Sequence, residues 1–168
     1  MSKKIFTKKN MIKLQNLLRE SKSTITTAES CTGGLVSSLI TKISGSSDIF
    51  NGSIVSYSNF IKSKELGVKE ETLEAYGAVS IQTVNEMLLG AINKFDATFA
   101  IAISGIAGPK GGTKNKPVGT VVIGICDNKG HKIVSSWHFK GSRISIQKQA
   151  AKHSLKEILK FIKKTLDN

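Results

Sequence analysis

Two short stretches carry residue types able to do chemistry on a carbonyl. In Thr26-Thr-Ala-Glu-Ser-Cys-Thr-Gly-Gly34, residues that favour an extended chain run into hydroxyls and a thiol. An apolar pattern at helical spacing follows, made by Leu35, Val36, Leu39, Ile40 and Ile43. A strand-to-helix turn of this kind sets Ser30, Cys31 and Thr32 at the carboxyl end of a strand and beside a helix N-terminus. Free N–H groups and the helix dipole favour negative charge there, so the turn can seat a nucleophile and an oxyanion. The plainer reading makes Ser30 and Thr32 simple N-caps. Any of Ser30, Cys31 and Thr32 needs a base. His131 and His138 fall on a hairpin, and His153 falls on a helix beside an apolar stripe, where it reads as a packed core residue. No histidine stands at a strand-to-loop junction, which disfavours a Ser-His-Asp triad and leaves a Ser–Lys pair. Lys62, in the second stretch, sits in a helix just after a strand, where burial lowers an amine's pKa far enough to accept a hydroxyl proton near neutrality. Ser145-Ile-Gln-Lys148 matches SxxK in form only, being part of a polar helical stretch.

A third stretch, Gly105 to Pro117, contains four glycines and both prolines of the chain and is therefore a loop. Glycines in Gly105-Ile-Ala-Gly108 let backbone N–H groups turn towards an anion, and the lysines that follow add charge, as a small phosphorylated ligand requires. The loop is neither a Walker A loop nor GxGxxG.

These stretches must be positioned by the elements between them. Lys8 to Lys22 is a helix with an apolar stripe of Met11, Leu14, Leu17 and Leu18, and a strand follows at Ile25 to Thr27. The helix from about Gly33 to Ile43 stops at Ser44-Gly-Ser-Ser47, and Gly52 to Ser58 is a second strand. Short helices run from Asn59 to a stop at Gly67 and from Lys69 to Tyr76. Ser80 caps a helix lined by Val84, Met87, Leu88, Ala91 and Ile92. Ala97 to Ser104 is apolar nearly throughout, as in a strand covered on both faces. Val118–Cys126 and His131–Phe139 form a hairpin, and an amphipathic helix from about Ser142 closes the chain. Strands alternating with helices predict a three-layer α/β/α sandwich with a mostly parallel sheet and an antiparallel edge hairpin. Ligands of such sheets bind outside the carboxyl ends of the strands, where Ser30–Gly34, Tyr57–Lys62 and Ser104–Pro117 are expected to meet.

The length of 168 residues suits one domain spanning the chain, with a core that needs neither disulfides nor metal. No apolar run reaches the ~18 residues of a membrane span, and Met1 to Lys9 has no secretory pattern after it, so the expected compartment is the cytoplasm. Cys31 and Cys126 lack CxxC spacing, which argues against a zinc site or disulfide framework. The formal net charge is +13, but it comes from scattered lysines with few interleaved aromatics and only Arg19 and Arg143 as arginines. That is a solvated surface and not a specific nucleic-acid interface.

The motifs AESCTGG at 28–34, GSS at 45–47, YSN at 57–59, GAVS at 77–80, SGIAGP at 104–109 and KPVGTV at 116–121 together carry a resemblance. In order and spacing, from about Leu14 to Ile162, the chain resembles the C-terminal domain of competence-damage-inducible protein A (CinA), the nicotinamide-nucleotide amidase family, in its stand-alone form. The resemblance implies hydrolysis of the carboxamide of nicotinamide mononucleotide, giving nicotinate mononucleotide and ammonia, without metal or cofactor. It implies Ser30 as nucleophile, Lys62 as general base, Tyr57 and Ser47 as hydrogen-bonding assistants, and Arg143 as a holder of the site or the phosphate. Backbone N–H groups around Cys31, Thr32, Gly33 and Gly34 are the expected oxyanion hole. Ser104, Gly105, Ile106, Ala107 and Gly108 are the expected nucleotide contacts. After Arg143 the chain is poorer in arginine than the family pattern, so a second phosphate-binding arginine is absent or replaced by Lys148. The partner implied is a small nucleotide substrate, with a homodimer as the expected assembly. Competing readings are Cys31 as nucleophile, or a catalytically silent nucleotide-binding or DNA-associated module.

Overall fold

The computed structural model describes residues 6–167. Helix Lys8–Glu20 (α1) starts at a capping box in which Thr7 Oγ1 accepts from the Asn10 N–H and Asn10 Oδ1 accepts from the Thr7 N–H. Strand Ile25–Glu29 (β1), helix Leu35–Thr41 (α2) and a single 3-10 turn, Ser46–Asp48, come next. Strand Phe50–Val55 (β2) leads into helices Asn59–Leu66 (α3), Glu70–Tyr76 (α4) and Ile81–Phe95 (α5). Strands Phe99–Gly105 (β3), Thr120–Asp127 (β4) and Lys132–His138 (β5) precede helix Arg143–Leu166 (α6).

The five strands form one sheet in the order β2-β1-β3-β4-β5. β1 runs parallel to β2 and to β3, with Ala28 beside Ile54 on one side and Ala102 on the other. The β3–β4 and β4–β5 pairs are antiparallel. Connectivity explains the division. Helices lie between β1 and β2 and between β2 and β3, so those strands return in the same direction, whereas β3 reaches β4 through a loop with no helix and must reverse. The antiparallel part therefore reaches one strand further into the sheet than the expected edge hairpin.

Alternation along β1 sends Ile25, Thr27 and Glu29 to one face and Thr26, Ala28 and Ser30 to the other. The first face packs Ile25, Ile101, Ile103 and Ile123 under α1, α2 and α6, while the second packs Ala28, Ala100 and Ala102 under α5 and α3. Small residues on the second face let α5 lie close, and α5 in turn seats α3. A Cβ on Gly90 of α5 would stand 2.0 Å from the backbone oxygen of Leu66 in α3. Gly90→Ala is therefore expected to destabilise the fold by about 1–3 kcal/mol, despite alanine's better helix propensity, because a carbonyl cannot swing aside as a side chain can. A thermal melt that shows no loss would contradict this.

Candidate active site

β1 ends between two longer neighbours, and hydrogen bonds extend it by one residue. The Ser30 N–H donates to Ile103 O at 2.9 Å, and the Ser56 N–H donates to Glu29 O at 2.8 Å. Ser30 is thereby held on the face that carries α3. Ser58 caps α3, its Oγ accepting from the Ile61 N–H at 3.2 Å, and Gly67 ends the helix at φ +68°. Lys62 stands one turn inside, with its side chain running back over the strand ends.

Lys62 is 1% exposed, and its Nζ lies 3.1 Å from Ser30 Oγ, 2.8 Å from Ser56 O and 3.3 Å from Tyr57 O. Burial lowers its pKa from 10.5 to about 8. A neutral amine has two hydrogens and one lone pair. The two carbonyls accept the hydrogens, which leaves the lone pair to accept the Ser30 hydroxyl proton. The arrangement can thus deprotonate Ser30 as the bond to an electrophile forms.

The cleft around this pair has a volume of about 270 Å³. One wall is the 104–111 segment. Ser104 Oγ donates to Ala78 O at 2.7 Å, and the Ile106 N–H donates to Thr120 O at 2.8 Å. Gly105 is obligatory, since a Cβ there would come within 3.0 Å of Cys31 Sγ and 2.7 Å of a Val121 methyl. Gly105, Ile106, Ala107 and Gly108 all line the cleft, with Lys110 beside them. Arg143, in the first turn of α6, closes the other side: Nη1 donates to Gly108 O and Nη2 to the Tyr57 hydroxyl, each at 2.8 Å. Cys31 also lines the cleft, but burial pushes its thiol up to about 12, so it stays protonated near neutrality and is a poor nucleophile.

Three expectations need correction. Ser47 does not reach the cleft. It is exposed in the 3-10 turn before β2, and Ile49 O, just beyond it, accepts from the N–H of Ile25 at the start of β1, the opposite end of the strand from Ser30. The buried member of that pair is Ser46, which accepts from Gln15 Nε2 at 3.1 Å and donates to Ile40 O and Ile43 O, bracing α1 against the end of α2. Thr32, Gly33 and Gly34 line a neighbouring groove with Leu35, Gln147 and Lys148 and not the Ser30 cleft. The amides of the two glycines are also engaged. The Gly33 N–H donates to Ser30 O and the Gly34 N–H to Glu29 Oε2, so neither is free for an oxyanion. Two further residues belong to the site. Gln147 Nε2 donates to Cys31 O at 2.8 Å, tying α6 to the nucleophile turn from within the stretch read as an empty SxxK match. Glu29 is a fully buried carboxylate in the motif itself.

Among the described residues, no three His, Cys, Asp or Glu side chains cluster as a metal site needs. His153 packs against Trp137, the rings tilted by 56° with centroids 4.0 Å apart, and no histidine lines the cleft. No helix among the described residues is long and apolar enough to cross a membrane.

A hydroxyl facing a desolvated amine, at the carboxyl ends of a mixed sheet between helix layers, defines an α/β protein with a serine–lysine site. The chain belongs to the CinA C-terminal domain family, whose model matches residues 7–162. It is 49% identical over 140 residues to a nicotinamide-nucleotide amidohydrolase PncC from Enterobacter agglomerans, covering 83% of this chain and 85% of that protein. It is 48% identical over 147 residues to a CinA-like protein from Thermotoga neapolitana, but this match spans 88% of the chain and only 36% of the relative's length. The crystal structure of a competence-damaged protein (CinA) superfamily protein from Enterobacter cloacae superposes with a TM-score of 0.90 at 33% identity, over 96% of this chain and 95% of that one.

Proposed function

We propose that the chain hydrolyses the carboxamide of nicotinamide mononucleotide to nicotinate mononucleotide and ammonia, with Ser30 as nucleophile and Lys62 as general base. The observation that carries this reading is the 3.1 Å approach of Lys62 Nζ to Ser30 Oγ inside a buried, carbonyl-lined pocket. The substrate class is supported by the amidohydrolase relative matched over most of its length. Ser30 Oγ attacks the amide carbon while its proton passes to Lys62. The tetrahedral centre collapses as Lys62 returns that proton to the nitrogen, and ammonia leaves. Water, deprotonated by the same amine, cleaves the acyl-serine ester and the proton returns to Ser30, so the enzyme is regenerated.

Arg143 and Lys110 supply positive charge at the rim for the phosphate, and the Tyr57 hydroxyl steadies Arg143. A purely binding module, whether for nucleotide or DNA, has no use for an amine kept out of water against a serine. Two unpaired buried thiols, Cys31 and Cys126, suit a reducing cytoplasm. A homodimer belongs to the same proposal, since Phe60 of α3 and Ile144 of α6, 68% and 63% exposed, leave apolar side chains facing solvent. The deciding measurement incubates the purified chain with nicotinamide mononucleotide and quantifies ammonia and the product acid by mass spectrometry. Equimolar formation of both is expected, and no release above a Ser30→Ala control excludes the reading.

A further inference from the structure

The residue before the nucleophile has no role in the mechanism above, yet it is the most heavily hydrogen-bonded carboxylate in the region. Glu29 Oε1 accepts from Thr27 Oγ1 at 3.3 Å and from the Ser37 N–H at 2.8 Å. Oε2 accepts from Thr32 Oγ1 at 2.7 Å, the Gly34 N–H at 3.1 Å and the Val36 N–H at 3.0 Å. Glu29 is 0% exposed, and among the described residues it takes part in no ion pair. Five donors replace water around the charge, as a buried carboxylate requires.

These donors are not scattered. Thr32 and Gly34 belong to the turn that follows Ser30, and Val36 and Ser37 belong to the first turn of α2. Helix α2 has no side-chain cap of its own, since Gly34 occupies its N-cap position at φ +96°. Glu29, reaching across the turn, does the capping instead. One carboxylate therefore joins the end of β1 to the start of α2, with Ser30 in the bridged segment. Because Glu29 and Ser30 are consecutive, alternation points the first towards α2 and the second towards Lys62.

We propose that Glu29 is the positioning residue for the nucleophile: by gripping the turn and the start of α2 it fixes the Ser30 backbone, and hence the Ser30–Lys62 distance, while occupying the helix amides that would otherwise compete for an anionic substrate group. This assignment rests on the reading of Ser30 as nucleophile. Glutamine cannot substitute for the carboxylate. Its NH₂ would stand where at least one backbone N–H now donates, so two donors would face each other and the turn would have to shift. A displacement on the order of 1 Å costs roughly 10²-fold in rate.

The experiment compares Glu29→Gln and Thr32→Val with the wild type on nicotinamide mononucleotide, after circular dichroism shows which variants fold. Glu29→Gln is expected to lose about 10²-fold in kcat with KM within about twofold of wild type, because the loss falls on attack geometry and not on binding. Thr32→Val removes one donor and is expected to lose about tenfold, again in kcat. The pH midpoint of kcat should not move in either variant, since burial of Lys62 is untouched. If Glu29→Gln does not fold, Thr32→Val decides. A folded variant with wild-type kcat, or one whose loss lies wholly in KM, overturns the assignment of Glu29. A wild-type chain that releases no ammonia overturns the amidase reading instead, so the two failures are distinguishable.

Discussion

Ser30→Ala is expected to reduce ammonia release by roughly 10⁴- to 10⁶-fold, the loss typical when a serine hydrolase is deprived of its nucleophile, while KM changes little. Ser30 is the hydroxyl that Lys62 Nζ meets at 3.1 Å, and both face the open cleft. Ser104, the other serine in the lining, is committed to Ala78 O at 2.7 Å. Cys31 provides the internal control. Its thiol is held near 12 by burial, so Cys31→Ala should keep turnover within about tenfold of wild type. The reverse pattern, an inactive Cys31→Ala and an active Ser30→Ala, would transfer the nucleophile to the thiol. Mass spectrometry of the protein trapped during turnover separates the cases again, because only the true nucleophile carries the acyl group.

What the chain discloses before folding follows the range of each physical signal. Apolar periodicity and turn residues are local, so α5 behind Ser80, the α3 stop at Gly67 and the β4–β5 hairpin are all legible within a few residues. The Ser30–Lys62 juxtaposition is one step less local. It follows from two strand-to-helix junctions at the same edge of a sheet, which the alternation of strands and helices already implies. Other features depend on contacts that no window contains. Ser46 and Ser47 are indistinguishable in GSS, and only the docking of Gln15 from α1 decides that Ser46 is buried, at the end of the strands opposite Ser30. Gln147 looks like any polar helix residue until Cys31 O is found 2.8 Å away, 116 residues earlier in the chain. Glu29 defeats the capping rules because it lies in the preceding strand, not at the N-cap they inspect. That one carboxylate also explains why the expected oxyanion donor at Gly34 is not available: the positive end of α2 is already satisfied from within, while the Gly33 N–H is taken by Ser30 O.

Lys62 separates a base from a mere cation. Lys62→Met keeps the length of the stem and removes the amine, and kcat is expected to fall by about 10³-fold or more because, among the described residues, no other side chain hydrogen-bonds the Ser30 hydroxyl. Stability should change little. Loss of a buried amine is favourable, whereas Ser56 O and Tyr57 O lose their donor, and the two effects oppose each other. Lys62→Arg is the sharper test, since guanidinium retains the charge and the donors but cannot become neutral in this pH range. If the positive charge alone mattered, the arginine variant would work; as a base it must fail. The pH profile of the wild type makes the same distinction without mutation. With the Lys62 pKa lowered to about 8, the amine is mainly protonated at pH 6 and mainly neutral above pH 9, so kcat should rise tenfold per unit at the acid end and level off beyond about 8. A profile that is flat across this range with chemistry rate-limiting, or that falls with rising pH, contradicts the role, because either would mean that turnover does not wait for the neutral amine.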